Sequence, residues 1–178
     1  MNKKSLTIKL IEQYLYKRKY KSFTNWLVDG TDFFTAPAST LFHNNFEGGL
    51  LNHSFHVYKL LKEKNRRYKF GLTDESIFIA GMFHDISKIN LYSRPEKSAD
   101  YEKISHPILK HGELSVRLLS EHLGRLKENE VAMVRYHMGA FDESFPYTEL
   151  NNAQMKYPEV VLMCCADWEA SRIIERKK

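Results

Sequence analysis

The stretch GMFHDISKI, Gly81–Ile89, places a histidine and an aspartate side by side in an otherwise apolar run, with a lysine three residues after the aspartate. The residues before it, TDESIFIA, open with Thr73 and Asp74, either of which can cap a helix. The segment therefore reads as a helix from about 73 to 89 whose apolar positions belong in a core. Three ionisable groups at the end of a buried helix need partners, because an unpaired charge in an apolar setting is expensive.

Outward from this stretch the periodicity stays helical. Helices are expected over 5–21, 49–69, 107–123 with Pro107 in the first turn, 127–138 and 158–176. Residues 22–48 read as irregular and aromatic-rich, 90–104 as a polar loop, and GAFDESFPYTELNNAQMKY (139–157) as a connection. Nothing shows the alternation of a sheet. The expectation is a single all-α domain over 1–178, a helical bundle with its core at about 40–175 and residues 1–39 packed on it.

With 178 residues, 43% of them hydrophobic and 28% charged, the chain is long enough for a real core and ordinary in composition. No apolar run approaches the roughly 20 residues of a membrane span, so no membrane partner is expected. The basic start reads as an amphipathic helix and not a signal peptide, which makes the cytoplasm the default location. The only two cysteines, Cys164 and Cys165, are adjacent and read as small buried apolar residues. A net charge of +5 and basic clusters at 16–21, 62–69 and the C-terminal end favour polyanions, or are simply solvated helix faces.

The pattern of Gly81–Ile89 recurs. His53 sits in GLLNHSFHV, His111 in LKHGELSV, His137 in VRYHMGAF and Asp167 in LMCCADWEAS. Each is an ionisable group in an apolar setting, and each comes from a separate helix. A shared divalent ion removes the cost of burying them. Histidine and carboxylate without thiolate points to manganese, iron, cobalt, nickel, magnesium or zinc, one ion or two. Lys88 lies four residues after His84 and three after Asp85, so on a helix its ammonium faces the same pocket. A lysine beside a metal suits an anionic, phosphate-bearing substrate. Taken singly, each histidine could equally be a hydrogen-bonded core residue. His56 shares a face with His53 and could assist or replace it, whereas His43 and His106 sit at loop or helix edges.

In order, His53, His84-Asp85, His111, His137 and Asp167 resemble the ligand series of the HD-domain superfamily of metal-dependent phosphohydrolases, with HDISK the sharpest piece. GGLLNHSFHV is similar to the first ligand helix of HD-type exoribonucleases. The later segments resemble small stand-alone HD proteins of bacteria and phages, including diadenosine tetraphosphate hydrolases. The resemblance implies a helical bundle around the metal. It implies that His53, His84, Asp85 and Asp167 form the primary site, that His111 and His137 serve a second metal with Asp85 bridging, and that Lys88 lies near the scissile phosphate. Within these 178 residues no nucleic-acid module like that of the larger exoribonucleases, and no second catalytic domain like that of the alarmone enzymes, is expected.

The expected activity is hydrolysis of a phosphoester or phosphoanhydride bond in a nucleotide or short oligonucleotide, with Asp85 and Lys88 catalytic. His43, Tyr92, Arg94 and Arg135 are candidate substrate contacts, although Arg135, two residues before His137, faces away from it on a regular helix. Trp26, Phe33, Phe34 and Phe42 could stack a base, or pack the first helix onto the bundle. Two other classes stay open. HD-fold di-iron oxygenases share the ligand pattern, and a non-catalytic nucleotide-binding module would share the basic surface.

Overall fold

A computed structural model describes residues 2–40, 44–95 and 101–176. Among these residues eight helices occur in chain order: α1 (Lys3–Leu15), α2 (Tyr20–Asp29), α3 (Gly49–Tyr68), α4 (Asp74–Phe83), α5 (His111–Leu123), α6 (Glu128–Arg135), α7 (Tyr147–Lys156) and α8 (Glu159–Glu169). The fold is an all-α bundle. Its sheet content among the described residues is β1 (Tyr92–Ser93) paired antiparallel with β2 (Glu102–Lys103), Tyr92 opposite Lys103. No helix among the described residues is long and apolar enough to cross a membrane.

Helices α3, α4, α6 and α8 form a ring in which each packs on the next and α8 closes onto α3. Val57 and Leu61 of α3, Ile79 and Phe83 of α4, Met133 and Val134 of α6, and Met163 and Ala166 of α8 fill one continuous apolar cluster. Helix α5 lies against α6 and the tight turn that succeeds α4, while α1 and α2 pack on each other and on the outside of α4 and α5 respectively. Thr73 caps α4, its side chain accepting from the Ser76 amide.

The expected first helix, 5–21, is two. The chain breaks after Leu15, and in the break Arg18 turns inward. Its Nε donates to Glu75 at 2.7 Å and a terminal nitrogen to Glu130 at 3.0 Å. Glu130 is fully buried and also accepts from Ser76 Oγ at 2.8 Å. A buried carboxylate needs such partners, and the break in the helix is where Arg18 meets it. Helix α4 stops at Phe83, earlier than periodicity suggests, and the chain tightens into a 3-10 turn over Ile86–Lys88. Helix α5 starts four residues later than expected: Lys110 is extended (ψ 157°) and acts as its N-cap, so Pro107 lies outside the helix. Helix α7 occupies part of the expected connection; Leu150 is its one buried residue, which explains its weak periodicity. Helix α8 passes into a π-helical turn, Ala170–Ile174. Of the two cysteines, Cys164 is buried as expected but Cys165 is exposed.

Candidate metal centre

Two glycines bring the functional helices together. At Gly81 a Cβ would stand 2.6 Å from the Cα of Tyr58, so the absence of a side chain lets α4 press on α3, one turn before His84. At Gly112 a Cβ would stand 2.2 Å from the carbonyl oxygen of Arg135, so α5 and the end of α6 meet backbone to backbone. Gly112 succeeds His111, and Arg135 precedes His137 by two residues. Each close approach therefore sets a pair of imidazoles against each other.

The six ionisable groups picked out by pattern converge. His53 Nε2 is 3.0 Å from Asp167 Oδ1 and 3.3 Å from His84 Nε2. His111 Nε2 is 2.9 Å from His137 Nε2. Asp85 stands between the two pairs. Its Oδ2 is 3.5 Å from His84 and 3.8 Å from His53, and its Oδ1 is 3.1 Å from His111 and 3.4 Å from His137. Asp85 has φ −99° and ψ 19°, the sparsely allowed bridge between the α and β regions. That turn, and not a regular helix, swings Lys88 back so that its Nζ lies 2.7 Å from Asp85 Oδ2.

The outer ring nitrogens fix which way the inner ones face. His84 Nδ1 donates to the Gly81 carbonyl at 3.2 Å, and His137 Nδ1 to the Val134 carbonyl at 2.7 Å. A carbonyl can only accept, so Nδ1 carries the hydrogen and, in the neutral ring, Nε2 presents a lone pair inward. His53 Nδ1 is held in the same way by Glu175, at 3.0 Å from Oε2. Inward nitrogens at about hydrogen-bond separation repel unless a proton or a metal cation lies among them. Asp85 Oδ1 is buried yet accepts no well-aligned hydrogen bond. This donor set, all nitrogen and oxygen, fits a divalent ion of the kind that takes imidazole and carboxylate. Two subsets could each hold one: His53, His84 and Asp167, and His84, Asp85 and His137.

Burial and neighbouring charge act differently on each member of the cluster. Burial drives His84 down to about 3, which keeps it neutral. Burial also acts to lower His53, but hydrogen bonds and charge from Asp167 and Glu175 overcome it and push it up to about 9. His111 is lowered, chiefly by burial, and His137 is raised because Asp85 outweighs its burial. Burial would raise both aspartates. Instead the Lys88 ammonium above all holds Asp85 well below the carboxylate range, and His53 does the same for Asp167.

The cluster opens into a cleft of about 820 Å³. Along with His53, Asp85, His111 and Asp167, it is lined by Lys88, Tyr92, Phe141, Trp168, Arg172 and Arg176. The last four were not singled out from sequence; Trp168 is signalled only by standing next to Asp167. Phe141 and Trp168 meet edge to face at 5.2 Å, and the Arg172 guanidinium lies 4.2 Å from the Phe141 ring.

Other sequence candidates lie elsewhere. Arg135 pairs with Glu113 and Glu149 and lines a separate groove between α6 and α7, as its position two residues before His137 dictates. Arg94 is exposed, over the Tyr101 ring, and is not among the cleft residues. His56 bonds to Glu175, and His106 is exposed. Phe33 is fully buried with Phe34 edge-on to it, and Trp26 lies flat on His122, so these aromatics pack the bundle and do not face the cleft. His43 and Phe42 lie outside the described residues. Glu175 went unnoticed because it is one acid in a basic tail, RIIERKK, with no periodicity to mark it.

A family model described as HD domain matches residues 50–171, from the first turn of α3 into the π turn after α8. Comparison with curated proteins and with solved structures gives no match.

Proposed function

Because this chain belongs to the HD-domain family, a superfamily of metal-dependent phosphohydrolases, we propose that it hydrolyses a phosphoester or phosphoanhydride bond in a nucleotide or short oligonucleotide. What carries the reading is one juxtaposition. Inward-facing imidazole nitrogens and two anionic carboxylates stand at the wall of a cleft that is also lined by Lys88, Arg172 and Arg176.

His53, His84, Asp85 and Asp167 would hold one divalent ion, and His111 and His137 a second shared through Asp85. When bound, such ions supply Lewis acidity and can bring the pKa of water down towards about 7. Asp85 and Asp167 are held anionic, which suits ligation better than proton abstraction. Lys88, buried beside Asp85, keeps its proton and offers it as a hydrogen bond to charge growing on the phosphoryl oxygens. Arg172 and Arg176 add positive charge for a further phosphate, and Phe141 and Trp168 offer ring faces for a base. The cleft volume falls within the range of small-molecule sites, about 300–1,000 Å³.

A panel of nucleoside mono-, di- and triphosphates, dinucleoside polyphosphates and short oligonucleotides, run with each candidate metal and read by chromatography, tests this. Phosphate-bond cleavage by the wild type and none by Asp85→Ala is the expected result. Equal turnover by both proteins, or none of any phosphate compound, overturns it.

A further inference from the structure

One buried carboxylate has a place in the fold that the ligand set does not explain. Glu175 has a side chain 1% exposed and contacts two histidines of α3. Its Oε2 lies 3.0 Å from His53 Nδ1 and its Oε1 2.7 Å from His56 Nδ1. His53 and His56 are three residues apart, on one face of the helix. Glu175 is 122 residues from His53 along the chain. It reaches α3 through the π turn, where its amide donates to the Ala170 carbonyl at 2.9 Å, five residues back. A π turn inserts an extra residue into the helical repeat. The chain beyond the turn is therefore rotated relative to α8, and here the rotation carries a carboxylate inward to His53 and His56.

We propose that Glu175 is a positioning residue: by accepting the Nδ1 hydrogen of His53 it fixes the ring so that Nε2 points at the metal centre, with His56 as the second anchor of the same carboxylate. This rests on the reading of His53 as a metal ligand. It gives His53 what the Gly81 and Val134 carbonyls give His84 and His137, with a full negative charge in place of a dipole. A carboxylate on the outer nitrogen makes the inner one a better donor, and loss of such a partner typically weakens metal binding by about 10–100-fold.

The test uses the full chain, Mn²⁺ as the probe and a chromogenic chelator as competitor, so that affinity is read without turnover. Glu175→Ala should weaken Mn²⁺ binding by about 10–100-fold. Glu175→Gln, which can still accept one hydrogen bond, should recover part of the loss, and His53→Ala should weaken binding more than either. Nitrogen-15 spectra of the histidines in the Zn²⁺-loaded wild type should show His53 with hydrogen on Nδ1 and none on Nε2. Should Glu175→Ala not fold, Glu175→Gln and the wild-type spectra still decide the matter. Wild-type affinity in both Glu175 variants overturns the proposal and leaves the metal centre intact, whereas a His53 ring with its hydrogen on Nε2 overturns both the proposal and the assignment of His53 as a ligand. Wild-type affinity in His53→Ala instead overturns the assignment of His53 as a ligand, and the role of Glu175 with it. A carboxylate that only braces the fold would lower the melting temperature and leave affinity unchanged wherever the variant is folded.

Discussion

Lys88 shows how much a single side chain is asked to do. Its ammonium sits 2.7 Å from Asp85 Oδ2, and that charge outweighs the burial that acts against it, so its pKa is raised. An ammonium kept charged at the wall of a cleft is a ready donor to a phosphoryl oxygen. Lys88→Met keeps the stem and removes the charge. The expected outcome is a fall in kcat of about 10²–10³-fold with metal content near that of the wild type by elemental analysis; parallel loss of metal and activity would make Lys88 a structural partner of Asp85 only. At this scale much of the cluster was legible in the sequence. Histidine and aspartate at apolar helical positions are conspicuous, and His53, His84, Asp85, His111, His137 and Asp167 are the groups whose atoms converge. Glu175 was not legible, because its burial arises from a helix irregularity and not from any local pattern. Arg172 and Arg176 looked like tail charges for the same reason.

The elements meet where two glycines permit it. Replacing Gly81 with alanine sets a Cβ against the Tyr58 backbone, and replacing Gly112 sets one against the Arg135 carbonyl. Backbone cannot yield as a flexible side chain can. Each substitution should cost about 1–3 kcal/mol, read by urea denaturation of the metal-free protein. Gly112→Ala should additionally part His111 from His137 and weaken binding at the second metal more than at the first. An unchanged denaturation midpoint in both variants would show that the helices can slide apart freely. Helix centres were readable from periodicity because α3 and α5 have one apolar face. Helix ends were not. The break after Leu15 answers the buried Glu130, a demand made by α6 on a distant part of the chain. Helix α7 was missed because only Leu150 is buried on it.

In the whole molecule, the ring of α3, α4, α6 and α8 places ligand candidates from distant parts of the chain in one interior. An ion bound there couples to folding, since the unfolded chain offers no such array. At a free ion concentration 100 times the dissociation constant, binding stabilises the folded state by about 2.7 kcal/mol. For a chain of this size that corresponds to a rise in melting temperature of roughly 5–10 °C. Scanning calorimetry with added Mn²⁺, then with chelator, should show the rise and its reversal in the wild type and neither in Asp85→Ala. The all-α bundle was legible at this scale because every long apolar pattern had a helical period. The ring order was not, since it depends on which helices can approach, and that is decided by single small residues. The two tryptophans of the chain occupy unlike surroundings. Trp26 lies flat on His122, ring centres 3.7 Å apart, away from the cleft. Trp168 lines the cleft, its indole nitrogen donating to the Met138 carbonyl. Of the two indoles, Trp168 is therefore the one whose emission should change when something enters the cleft, an unlabelled optical gauge of occupancy.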